Sequence, residues 1–411
     1  MGAVTEAVEW RPDGQGLPLD LAVTFLHGTQ QIAEVRYAYA PELLPQASPK
    51  GEGMWRYASL LPIEEGPIRF PAPVGGTPLW APGRLREGVG CRQLWLKDET
   101  RGPTGSNKDR ATALVLEHGL RIGATTVTAA STGNVAASLA VGAAAAGLRA
   151  VIFVPASVDQ TKLTLMLLAG ALVVKVAAGY EAAFRLSREA AVAFGWLDRN
   201  TGVNPLTIEA KKTIAFEIWE QLGREMPDTV VAPVGDGATL SALAKGFREL
   251  KACGVAGAVP RMIGVQAEGC QPLVRAWRTG EAVRPEEPRT IADGIAVGSP
   301  ACGEVTLREV RGSGGALVSV SDRALMKAVA ELGQAGVLAE PAAAAGFAGL
   351  RASLEGGLVA PEGRTVVLVT GTILKTPHHA KPVVSPLHVQ SQLSEVEEAL
   401  AAEPRWKQSS R

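Results

Sequence analysis

From about residue 94 onward the chain is punctuated by short apolar runs rich in β-branched residues. That rhythm restricts the fold more than any other feature. The runs are LWLKDE (94–99), TTVTAA (125–130), AVIFVP (150–155), LVVKVA (172–177), TVVAPV (229–234), MIGVQA (262–267), ALVSVS (316–321) and TVVLVT (365–370). Each stops at Gly, Pro, Ser or Asp and reads as a buried strand. Between most of them lie helix-length stretches: Asp109–Ile122, Val135–Gly147, Tyr180–Phe194, Ile208–Leu222, Ala238–Leu250 and Arg323–Leu332. Strands that alternate with helices make an α/β chain with mainly parallel sheets, because parallel neighbours need a crossover. Periodicity leaves two closures open, a single barrel or two open sheets. In both, ligands sit beyond the carboxyl ends of strands.

Outside this rhythm the chain is less regular. Residues 1–70 hold LAVTFLH and EVRYAYAP, which suit strands, among Pro and Gly punctuation, and are expected to form an N-terminal arm with little core of its own. The polar tail, 377–411, contains Ser394 with Glu397, a capping-box pattern that predicts a surface helix over SEVEEALAAE.

Lys+Arg and Asp+Glu both number 41, so no basic excess points to nucleic acid or to an anionic membrane surface. Cys91, Cys253, Cys270 and Cys302 are widely spread with no C-x-x-C pair, which argues for reduced thiols rather than a disulfide or zinc framework. The first residues lack the apolar core of a secretory signal, and the longest apolar stretch, Val135 to Leu148, is too short to span a bilayer. A cytoplasmic protein is expected.

Four segments carry chemistry, each at a strand's end. In Lys97–Arg110, KDETRGPTGSNKDR, a Gly/Pro turn leads to Lys108 at the start of a helix. The helix dipole there favours a neutral amine, the form that condenses with an aldehyde. In Ala130–Asn134, ASTGN, hydroxyls and N–H groups cluster where an anion such as a carboxylate binds. In Val234–Leu240, VGDGATL, glycines let the backbone wrap a phosphate. In Val369–Thr372 a hydroxyl ends a very apolar strand, where it could meet a ring nitrogen. Taken singly, these also read as a solvated lysine, an ordinary N-cap, a tight turn and a strand terminus. Taken together, they supply an amine, an anion loop, a phosphate cradle and a hydroxyl.

The segment LKDETRGPTGSNKDR resembles the lysine motif of threonine synthases and related fold-type II pyridoxal-phosphate (PLP) enzymes, the tryptophan synthase β superfamily. ASTGNVAAS resembles their asparagine loop, GDGAT their phosphate loop and EPAAAAGFAGL (340–350) their late helix; WRYASLLP (55–62), GGTPL (75–79), GVQAEGC (264–270) and IADGIAVGSP (291–300) match as well. The ordered set spans about residues 52 to 376.

The resemblance implies two α/β domains with the cofactor, pyridoxal 5'-phosphate, in the cleft between them. The smaller, mobile domain would cover about 105–220; the larger would be built from 71–104 and 221–376. It implies that Lys108 carries PLP as a Schiff base and is the catalytic base, and that Asn134 bonds the cofactor's phenolic oxygen. Ser131, Thr132 and Gly133 would hold the substrate carboxylate, Gly235, Asp236, Gly237, Ala238 and Thr239 the cofactor phosphate, and Thr370 would face the pyridine nitrogen. A homodimer acting on a small amino acid is implied as well.

Four departures stand out. Asn107 replaces the usual Phe before the lysine. Thr207, in NPLTIEAKKT, stands where the family commonly has an Arg for the substrate phosphate, and a neutral threonine cannot form that bidentate pair. Lys211 or Lys212 could substitute, or could belong to a solvated helix face. Ile373 replaces a glycine after the Thr370 motif, narrowing that side, and around His27-Gly28 the paired zinc cysteines of some relatives are missing, so no structural metal is expected. His378-His379 reads as an exposed loop.

Three functions are compatible with these residues. A threonine synthase would convert O-phospho-L-homoserine and water to L-threonine and phosphate. A serine/threonine dehydratase would give a 2-oxo acid and ammonia, and Thr207 suits it. A non-catalytic PLP-fold binding protein is kept open by Asn107 and Ile373, and opposed by an intact Lys108, Asn134 and glycine loop.

Overall fold

The computed structural model describes residues 34–45, 53–377 and 382–402. Its strands form two open sheets, not a barrel. The strands are β1 (Leu79–Trp80), β2 (Leu94–Asp98), β3 (Thr126–Ala130), β4 (Arg149–Pro155), β5 (Leu172–Val176), β6 (Leu197–Asp198), β7 (Thr229–Pro233), β8 (Arg261–Ala267), β9 (Ala316–Val320) and β10 (Thr365–Val369). The larger sheet has the order β1-β2-β10-β7-β8-β9, and the smaller β5-β4-β3-β6. All pairings are parallel except β1 with β2.

The helices are α1 (Gly83–Val89), α2 (Lys108–Arg121), α3 (Asn134–Ala145), α4 (Gln160–Leu168), α5 (Gly179–Phe194), α6 (Leu206–Gln221), α7 (Ala238–Ala252), α8 (Pro272–Thr279), α9 (Gly303–Gly312), α10 (Asp322–Gln334), α11 (Pro341–Glu355) and α12 (Leu393–Ala402).

The apolar runs are continuous because both faces of the sheets are covered. Along β10, Val366 and Leu368 join the core shared with α6 and α7, while Val367 and Val369 join the core under α10 and α11. In the smaller sheet Val127, Ala129, Ile152 and Val154 pack with α2 and α3, and Val151 and Phe153 face α5.

Several expectations need correction. LVVKVA forms a strand, but β5 is an edge and only Val176 of it is buried. Within EVRYAYAP the described residues show a single β-bridge position, Arg36, rather than a strand; Pro41 opens a short 3-10 turn, and Val35 and Tyr37 enter the large core. The tail helix forms, but Ser394 lies inside it. The carboxylate of Glu395 accepts from the N–H groups of Gln390, Ser391 and Gln392 and does the capping. LAVTFLH, His27-Gly28 and His378-His379 lie outside the described residues. By contact the chain separates into residues 1–380 and 381–411. No helix among the described residues is long and apolar enough to cross a membrane.

A buried ionic network fixes how α2 and α6 meet β2. The Arg110 guanidinium donates to Glu99 at 2.7 and 2.8 Å and to Glu217 at 2.6 and 2.7 Å. Lys97 donates to Glu217 at 2.6 Å and to the Thr77 carbonyl at 2.6 Å. All four charged groups are essentially without solvent exposure. A buried charge is tolerated only when paired, so loss of one member strands the others.

Arg110→Met should therefore lower the unfolding free energy by about 3–5 kcal/mol, read from denaturant titration. A second prediction concerns acid. Burial pushes the Glu34 carboxyl up, but Lys245, Arg248 and Arg308 outweigh it and hold it at about 2. A depressed folded value stabilises above the unfolded carboxylate range, about 4.3, and that stability is lost as pH falls toward 2. Glu34→Gln should lower stability at neutral pH and flatten the loss between about pH 4.5 and 2.

Candidate active site

Strands β2, β10 and β7 are neighbours, so the loops beyond their carboxyl ends adjoin. Those loops carry Lys108, Thr370 and the Gly235–Thr239 turn. Asn107 ties them together: its N–H donates to the Thr370 carbonyl at 2.9 Å, and its Nδ2 donates to Thr239 Oγ1 at 3.2 Å. Ser106 makes a β-bridge with Gly371. From the smaller sheet Asn134, at the start of α3, donates Nδ2 to Glu340 Oε1 at 2.7 Å, and the Glu340 N–H donates to the Gly371 carbonyl at 3.1 Å. Hydrogen bonds thus link all four segments singled out in the sequence.

Lys108 opens α2 with its side chain half-buried. Burial lowers its amine below the ordinary lysine range; Asp236 and Glu340 pull it up, and Arg199 pushes it down. Desolvation is therefore the main cause, where the sequence points to the helix terminus. Lys375 holds the preceding loop by donating Nζ to the carbonyls of Thr104 and Gly105 at 2.6 and 3.2 Å.

Around Ser131, Thr132 and Gly133 the chain is half-exposed, and Gly133 leads into α3 with no side-chain cap. Ser131 Oγ accepts from the Gly133 N–H at 3.2 Å. The first N–H groups of a helix lack intrahelical partners, so this terminus can take an anion. The second turn is built similarly. Gly237 precedes α7 at φ +92°, and a Cβ there would lie 2.0 Å from Thr306 Oγ1, so no other residue fits. Asp236 accepts the Ala238 N–H on Oδ1 at 3.0 Å, and its carbonyl accepts the Cys302 N–H at 3.0 Å. Thr370 is half-buried, and Ile373 is buried.

Thr207, Lys211 and Lys212 are all on α6 and fully buried, so the solvated-face reading fails for both lysines. The structure separates the three. Thr207 Oγ1 donates to the Asn204 carbonyl of its own segment at 2.8 Å. Lys212 is paired with Glu209 at 2.6 Å and Glu249 at 2.8 Å, with Nζ 3.9 Å from the Tyr37 ring centre. Its charge is consumed in that cluster with Lys245. Lys211 instead has no hydrogen-bond partner for Nζ among the described residues. Burial and the charge of Lys108 push its amine down to about 7; Asp236 opposes this and Arg199 adds to it.

Three groups escape a reading of the sequence. Arg199 is fully buried and donates to Thr112 Oγ1, Thr201 Oγ1 and the Lys108 carbonyl at 3.1, 2.8 and 3.3 Å. As one arginine in a loop it carries no signal. Glu340 sits in the quoted EPAAAAG segment, and an acid before a helix-opening proline is the clue. Ser106 Oγ is buried without a partner.

This donor set fits a phosphorylated aldehyde. It offers an amine of lowered basicity, helix-start N–H groups with hydroxyls, and two orphaned buried donors, Ser106 Oγ and Lys211 Nζ.

Comparisons agree with that chemistry. The family described as "Pyridoxal-phosphate dependent enzyme" matches residues 71–371. A threonine synthase of Methanosarcina acetivorans is 37% identical over 376 residues, 90% of this chain and 92% of that protein. One from Methanocaldococcus jannaschii is 35% identical over 332 residues, 80% of this chain and 82% of that protein. Among solved structures, maize serine racemase superposes with a TM-score of 0.64 at 20% identity, covering 82% of this chain and 94% of that one, a likeness of fold alone.

At Gly371 a Cβ would lie 2.6 Å from Glu340 Oε1 and 3.2 Å from Asn134 Nδ2. Gly371→Ala should separate that pair and lower the unfolding free energy by about 1–3 kcal/mol, measured by denaturant titration.

Proposed function

The chain belongs to the pyridoxal-phosphate dependent enzyme family, on its threonine-synthase branch, and we propose that it converts O-phospho-L-homoserine and water to L-threonine and phosphate. The supporting observation is the convergence of the Lys108, Thr239 and Thr370 segments through direct hydrogen bonds, with the Asn134 segment joined to them by way of Glu340. When bound, the cofactor supplies an electron sink for negative charge at the substrate's α-carbon.

The residues divide the remaining work. Lys108 Nζ would hold the cofactor and, once released by the substrate amine, take the α-proton; burial, which lowers its basicity, favours the neutral amine that this role needs. Asn134 Nδ2 would turn from Glu340 toward the cofactor's ring oxygen. Ser131, Thr132 and Gly133 would hold the substrate carboxylate at the start of α3. Gly235, Asp236, Gly237, Ala238 and Thr239 would surround the cofactor phosphate. The Thr370 hydroxyl would face the ring nitrogen, where, unlike a carboxylate, it does not enforce protonation. Loss of the γ-phosphate followed by addition of water at the β-carbon would complete the proposed reaction. Movement of residues 105–220 against 71–104 and 221–376 would exclude water during these steps. A homodimer is the assembly this reading carries.

Thr207, bonded to its own backbone, favours a second reading as a serine/threonine dehydratase. Phosphate release from O-phospho-L-homoserine by the PLP-loaded protein, with threonine identified as product, tests the first. Lys108→Ala should reduce turnover by about a thousandfold or more. Ammonia and a 2-oxo acid from threonine or serine, without phosphate release, would make the chain a dehydratase.

A further inference from the structure

Lys211 is a buried amine with no acceptor among the described residues. Its Nζ has no hydrogen-bond partner, and the side chain has no solvent exposure. The charged groups that act on it are Lys108, Asp236 and Arg199, together with the Cys302 thiol.

Arg199 repeats the pattern. Its fully buried guanidinium touches only neutral oxygens, from Thr112, Thr201 and Lys108, and forms no ion pair among the described residues. Lys211 and Arg199 are interior basic groups near Lys108 with no ion-pair partner among the described residues. Asp236 acts on both, and Asp109 and Asp198 act on Arg199 as well, yet none is in contact, so the arrangement is costly unless a ligand brings negative charge. The same helix shows that this is not for want of carboxylates. Lys212, the next residue, is fully paired with Glu209 and Glu249.

Thr207 and Lys211 are four residues apart on α6 and so share a face. Thr207 presents no charge there. Lys211 does, one turn further along.

We propose that Lys211, with Arg199, anchors a phosphate-monoester dianion in this site. The inference rests on the reading of the chain as a PLP enzyme for a phosphorylated amino acid. Two ligands carry that group, the cofactor and the substrate. A dianion would draw a proton onto Lys211, whose amine is otherwise held near 7 by its burial and by Lys108.

The test compares wild-type protein with Lys211→Gln and Lys211→Arg. Three quantities are measured: PLP affinity by spectroscopic titration, binding of inorganic phosphate to the holoenzyme by calorimetry in buffers of different ionisation enthalpy, and KM for O-phospho-L-homoserine. A PLP Kd raised about tenfold or more in Lys211→Gln, and recovered in Lys211→Arg, assigns the anion to the cofactor. An unchanged PLP Kd, with inorganic-phosphate Kd or KM raised about tenfold or more, assigns it to the substrate. In the second case wild-type proton uptake on phosphate binding should vanish in Lys211→Gln. If all three stay within about twofold of wild type, the proposal is overturned. The two binding titrations do not depend on turnover, so a wild-type protein that leaves O-phospho-L-homoserine untouched would refute the proposed reaction while Lys211 is still tested. Should Lys211→Gln fail to fold, Lys211→Arg decides the matter through the proton count: an arginine stays charged, so uptake that persists in it overturns the proposal.

Discussion

The Arg110 guanidinium, clasped between Glu99 and Glu217, determines where the candidate cofactor lysine stands. Arg110 lies two residues after Lys108, so the two side chains leave α2 in different directions. One is tied into the interior, and the other is half-buried with Nζ 3.5 Å from Asn107 Oδ1. Thr77 and Lys97 bring the loop before β1 and the strand β2 to the same point, and Glu217 brings α6. Geometry of this kind is sharp because the guanidinium fork accepts few arrangements of carboxylates.

α6 is the element common to the rigid and the reactive parts of the molecule. Glu217 serves the Arg110 network, and Glu209 and Lys212 serve a second buried cluster with Lys245 and Glu249. Both are closed circuits. Lys211, on the same helix, stands apart from both. The contrast within one turn of helix separates charge that holds the fold from charge that is available to a ligand.

The sequence discloses what depends on local pattern. The eight long strands are continuous β-branched runs, so they read clearly, whereas β1 and β6 have two residues each and leave no periodicity to detect. Helices α1, α4, α8 and α9 leave little trace because they are only seven to ten residues long and lie among prolines and glycines. The site loops are legible because each is a short, distinctive segment at a strand end. Pairings across long separations are not legible. Lys97 meets Glu217 across 120 positions and Asn134 meets Glu340 across 206. The fates of Lys211 and Lys212 turn on such partners: adjacent in sequence and alike in burial, they differ only in which carboxylates lie beside them.

Strand order also has a consequence for how the chain is made. The smaller sheet is complete once residue 198 has been synthesised, since all four of its strands lie within 126–198. The larger sheet is different. Its central strand, β10, is the last made, and it inserts between β2 and β7 with residues 365–369. At ribosomal rates the inner edge of β2 waits on the order of tens of seconds for its partner. During that interval two apolar strand edges lack their neighbour and can pair with other chains. The nascent protein is thus most exposed to misassociation just before its final strand emerges. The same step brings in Thr370 and Gly371, so the candidate site is assembled as that hazard ends.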